Sequence, residues 1–85
     1  MIIDYHEAET KPDGELSIHV GIQFEDEPDS LYVIHISVDV NGWVKAWTLL
    51  YNGVDCKYNF KPEEKVKVLA HLSEAGMLLQ ERKKG

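Results

Sequence analysis

Two Asn-Gly dipeptides, Asn41-Gly42 and Asn52-Gly53, each flanked by alternating apolar residues, constrain this chain more than any other feature. Asn-Gly is the strongest short-range signal for a two-residue hairpin, because both turn residues must take positive φ there. Two such turns fix the register of three strands, at 32–40, 43–51 and 54–60, and with it the face each side chain occupies. Across the first turn the expected pairs are Val40 with Trp43, Val38 with Lys45, Ile36 with Trp47 and Ile34 with Leu49. Across the second they are Tyr51 with Val54 and Leu49 with Cys56, which puts Cys56 on the apolar face as a small core residue.

Upstream, Leu16, Ile18, Val20, Ile22 and Phe24 alternate with Ser17, His19, Gly21 and Gln23, the pattern of a strand with one buried face. Matching apolar faces sets Ile18 opposite Ile36 and Val20 opposite Ile34. Residues 2–9 read as a first strand with Ile3 and Tyr5 on the same apolar side. The cluster Thr10-Lys11-Pro12-Asp13-Gly14 joins it to the second strand as a turn.

Downstream, Pro62 followed by Glu63 and Glu64 opens a helix, since Pro is tolerated in the first turn and carboxylates suit the positive end of the dipole. Gly76 is placed to end it in the left-handed conformation, with Leu72 and Met77 supplying the apolar contact of the cap. Residues 77–82 then form a short extended segment; a helix running on to residue 82 is the alternative. The expected fold is α+β, one domain over residues 1–85. It is a five-stranded antiparallel β-meander packed by one C-terminal helix, with that short final extended segment. A helix is about 10 Å wide and five strands span roughly 19 Å, so one helix leaves apolar sheet uncovered. A curled sheet, the last segment folding back, or a second copy can close the gap. A homodimer is expected, with Val68, Leu79 and Trp43 at its surface.

Charge separates the two halves. Residues 1–42 carry −9 and residues 43–85 carry +3, within a net charge of −6. The run Glu25-Asp26-Glu27-Pro28-Asp29 is the densest acidic stretch, and it lacks the Asp/Asn spacing of a calcium loop. Its plain reading is a solvated loop. Its functional reading is a docking surface, Glu25, Asp26, Glu27 and Asp29, for a basic protein partner whose approach the charge steers.

The candidates for chemistry are sparse. With a four-residue first turn, His6 falls opposite His19 and His19 opposite His35, a row of imidazoles about 5 Å apart. Exposed histidines on a solvated sheet face are the plainer reading of that row, and no metal is expected on it. No nucleophile elbow, phosphate loop or zinc-protease motif occurs, so neither an enzyme nor a cofactor is expected. The single Cys56 suits a reducing compartment, and no apolar run or signal-peptide pattern appears, so the expected location is the cytoplasm, with no membrane partner. In its order of elements the chain resembles the transcriptional-coactivator and plant Whirly-type modules, which bind single-stranded DNA as dimers or higher oligomers. The resemblance is one of topology, with no shared motif. It implies a nucleic-acid alternative carried by Lys45, Lys57 and Lys61, against which stand the net charge and an exposed face expected to carry no aromatic. The leading expectation is a small acidic, non-catalytic protein-binding domain, such as an inhibitor or regulator of a basic, nucleic-acid-handling protein.

Overall fold

The computed structural model describes residues 1–81. Five antiparallel strands run in chain order, β1 (Ile2–Thr10), β2 (Leu16–Phe24), β3 (Glu27–Val38), β4 (Trp43–Tyr51) and β5 (Val54–Asp55). One helix, α1 (Pro62–Glu74), follows, and then a two-residue strand, β6 (Gln80–Glu81), which pairs in parallel with the start of β4. This is the expected meander packed by a C-terminal helix, with its final extended segment.

The core sits between the sheet and α1. Ile18, Val20, Ile22, Ile34, Ile36, Val38 and Leu49 from the sheet meet Val68 and Leu72 from the helix, and all nine are buried. The pairs Ile18–Ile36, Val20–Ile34, Ile36–Trp47 and Ile34–Leu49 stand as the apolar pattern required. The helix also ends as expected. Gly76 takes φ +92°, Met77 N–H donates to the Leu72 carbonyl at 2.8 Å, and Gly76 N–H donates to that of Ser73 at 3.0 Å. At its start, the Lys61 N–H donates to the Glu64 carboxylate at 2.9 Å.

The two Asn-Gly dipeptides turn differently. Asn52 (φ 51°) and Gly53 (φ 80°) both take positive φ, so this is the two-residue turn expected. At Asn41-Gly42 only the glycine does (φ 88°). Asp39 and Trp43 close that loop through Asp39 N–H to the Trp43 carbonyl at 2.8 Å, and the Asp39 carboxylate accepts the N–H groups of Asn41 and Trp43, each at 2.9 Å. Asp at the first and Gly at the fourth position are what a type I turn prefers, and two bonds to a carboxylate outweigh the Asn-Gly preference. Val38 therefore pairs with Val44, not Lys45, and an irregularity restores the expected register by Ser37–Ala46.

The same loop design recurs at Lys11–Glu15. Lys11 N–H donates to the Glu15 carbonyl at 2.7 Å, and Gly14 (φ 89°) donates to Lys11 at 2.9 Å. Thr10 accordingly pairs with Leu16, one residue away from the expected register, and that slip inverts most of β1. His6 lies opposite Val20 on the helix side, and Glu7, not His6, lies opposite His19. A bulge at Asp4 returns Ile3 to the core side, opposite Ile22, and leaves Tyr5 on the outer face opposite Gly21.

The expected fifth strand, 54–60, is cut to two residues. Lys57 adopts φ 54°, its N–H held by the Asp55 carboxylate at 2.8 Å, so the chain leaves the sheet there. Cys56 is consequently exposed, which corrects its expected place in the core. The departing segment answers the coverage problem. Tyr58 and Phe60 fold over the apolar face and extend a run of ring contacts, Trp47–Phe60 (5.6 Å), Phe60–Tyr58 (5.1 Å), Tyr58–Phe24 (5.9 Å), Phe24–Tyr32 (5.2 Å) and Tyr32–Tyr51 (5.1 Å). Met77 and Leu79 pack on the core from beyond the helix. Val68, expected at a dimer surface, is fully buried, while Val66 points outward at 66% exposure.

Candidate functional site

Because α1 and the 56–60 segment cover one face, the other face of the sheet is the broad surface left open. Its composition follows from the register, in four cross-strand rows. Ile2, Gln23 and Leu31 form one; Tyr5, Gly21, Val33, Leu50 and Asp55 the next; then Glu7, His19, His35 and Thr48; then Glu9, Ser17, Ser37 and Ala46. The first two rows are largely apolar. Ile2 (53% exposed), Leu31 (45%) and Tyr5 (39%) are exposed large apolar side chains on this face. An aromatic on this face was not expected. Tyr5 lies so close over Gly21 that a Cβ there would stand 2.0 Å from its ring. A glycine inside an otherwise regular strand is the signal that finds it, since such positions mark a close approach of another group.

The acidic residues stand at the same end of the sheet. Glu25 and Asp26 form the β2–β3 turn, with Phe24 paired to Glu27, so the stretch is a tight hairpin tip and not a long loop. Glu25, Asp26, Glu27 and Asp29 are all exposed. Glu27 accepts the Tyr32 hydroxyl at 3.1 Å, and burial, aided by that bond and the Glu27 charge, holds the phenol above its ordinary value. Two cations at this end already have partners, the Met1 ammonium at Glu25 (3.8 Å) and Lys57 at Asp55 (3.6 Å). The apolar rows are thus bordered by carboxylates.

The imidazoles do not form the expected row of three. His19 and His35 stack at 4.9 Å between ring centres, and His35 Nε2 lies 2.7 Å from the hydroxyl of Ser17, which is buried. Burial, aided by repulsion from His19 and Lys11, lowers the His35 pKa. His6, on the opposite face, instead meets His71 of α1, with Nδ1 3.1 Å from Nε2 and the rings near perpendicular at 77°. Among the described residues no group of three or more His, Cys, Asp or Glu is arranged around a common point.

Two lysines of the nucleic-acid alternative are engaged by carboxylates. Lys45 pairs with Glu15 at 2.8 Å, Lys57 with Asp55, and Lys61 precedes α1. Lys45 does line a groove with Trp47, Tyr58 and Phe60, but its other cation, Lys65, faces Glu81 at 3.8 Å. The Trp47 indole N–H donates to that same carboxylate at 2.6 Å, so the groove carries paired charges, not a positive field. Arg82, Lys83 and Lys84 lie outside the described residues. No described helix is long and apolar enough to cross a membrane. Set against protein-family models, curated proteins and solved structures, the chain matches none.

Proposed function

We propose that this protein is a non-catalytic docking module that binds a basic protein partner through the open face of its sheet at the acidic end. One observation carries the reading. The uncovered rows of Ile2, Tyr5, Leu31, Val33 and Leu50 adjoin the exposed carboxylates of Glu25, Asp26 and Asp29. An apolar centre with a charged rim is the anatomy of a protein interface, and a rim of one sign selects a partner of the other. Of the four expected docking charges, Glu27 accepts the Tyr32 hydroxyl and Glu25 faces the Met1 ammonium.

Capture of partners from the native host, followed by quantitative binding with variants, tests this. Leu31→Lys should abolish binding, and Glu25→Lys with Asp26→Lys should slow association and flatten its salt dependence. A partner that binds both variants as tightly as the native chain rejects the proposal. Binding of an oligonucleotide lost on Lys45→Glu would establish the nucleic-acid alternative instead.

A further inference from the structure

The contact between His6 and His71 joins an edge strand to the helix over 65 residues of chain. No role in the open-face reading absorbs it, because it lies on the other side of the sheet. Two imidazole nitrogens facing each other at 3.1 Å fit two arrangements. In one, a ring N–H donates to the other ring's lone pair. In the other, both lone pairs converge on a metal ion. Zinc binds imidazole nitrogen at about 2.0–2.1 Å. At that length, nitrogens with this separation subtend about 100° at the metal, near the tetrahedral angle that zinc adopts.

We propose that His6 Nδ1 and His71 Nε2 form a two-histidine site for a borderline transition-metal dication such as Zn²⁺ or Ni²⁺, with water completing the coordination. Both rings are only half-buried, so ion and water can reach them. The near-perpendicular rings leave room for two in-plane lone pairs to meet without a clash between ring edges. Within one turn of His71 the helix carries Lys67 and Glu74, which are of opposite charge, so α1 sets no net charge against the ion. Lys67 is moreover drawn aside to the Met1 carbonyl. On metal binding the proton between the rings moves to the outer nitrogen of the ring that carried it. Neutral imidazoles therefore lose no proton overall. The ion ties β1 to α1 and stabilises the folded chain by mass action.

The untagged, full-length protein titrated with zinc chloride, followed by imidazole ¹H–¹⁵N spectra and thermal unfolding, tests the site. One equivalent should shift the His6 and His71 resonances, leave those of His19 and His35 in place and raise the melting temperature. Magnesium, which prefers oxygen ligands, should do neither. His6→Asn and His71→Asn should each remove the response, while His19→Asn keeps it. His71→Asn serves if the strand variant fails to fold. The site is refuted by the absence of any zinc response, by a response undiminished in His71→Asn, or by one lost only with His19→Asn.

Discussion

The two faces of the sheet are made of the same strands, and they are organised by different physics. On the helix side, nine buried aliphatic side chains form a closed core, and six aromatic rings in series extend over its flank. On the open side the contacts are pairwise: Tyr5 over Gly21, His19 on His35, Ser17 with His35. Burial rewards any apolar group of suitable volume, so the covered face tolerates little loss of volume. The open face is held by a few specific partners and by strands that the other face has already fixed. Stability should therefore reside on one side and recognition on the other.

The largest expected effect is on the covered side. Ile36→Ala removes a fully buried side chain at the centre of the sheet and should cost about 2–5 kcal/mol, read as a fall in the denaturant midpoint with unchanged slope. A cost near that of an exposed substitution would mean that the core relaxes into the space, and the contrast between the faces would fail.

A smaller effect is expected where the aromatic flank meets the helix. The Tyr58 hydroxyl donates to the Glu64 carboxylate, 2.9 Å and 2.8 Å from its two oxygens, and burial with that bond pushes the phenol up to about 12. Tyr58→Phe should cost about 1 kcal/mol. The sign of the pH dependence follows from the raised value. The folded protein keeps the proton longer than the unfolded chain, so this contribution is present below about pH 10 and lost as pH rises from there towards 12. Loss of stability over that interval, absent in Tyr58→Phe, checks it by alkaline unfolding.

These elements differ in how far the sequence disclosed them. Alternation along β2 to β4 located the core, because burial on one face demands period two, and Gly76 with Leu72 and Met77 located the helix end. The position of β1 was not legible, since its pairing depends on one residue of loop length at Lys11–Glu15. The turn at Asp39–Gly42 was decided by short-range bonds, among them those to the Asp39 carboxylate, that compete with the Asn-Gly preference. That one residue moved His6 from the open face to the helix and created its contact with His71. Cys56 was misplaced for a related reason: Asp55 caps Lys57 and ends β5 early.

On the open face, pH should act through His35. Burial, His19 and Lys11 all disfavour its charged form, so its folded pKa lies below the unfolded value of about 6.5. The unfolded chain then binds the proton first, and stability falls as pH drops through that unfolded value. Thermal unfolding at pH 7 and pH 5 should show the decline, and His35→Asn should lessen it. An equal decline in His35→Asn would assign the acid sensitivity elsewhere.

The smallest effect on stability should accompany the largest on recognition. Leu31 is 45% exposed and lies on the open face, opposite Gln23, so Leu31→Lys should change stability by less than about 0.5 kcal/mol. Gly21→Ala acts on the same surface differently, because the added methyl must displace the Tyr5 ring from its seat. If the open apolar rows form the docking centre, both substitutions should weaken partner binding, Leu31→Lys by placing a charge in the centre and Gly21→Ala by moving an anchor. Val66→Lys on the outer face of α1, at a position still more exposed to solvent, should leave binding intact. Should Val66→Lys weaken binding while Leu31→Lys does not, recognition belongs to the helix, and the division of labour between the two sheet faces is wrong.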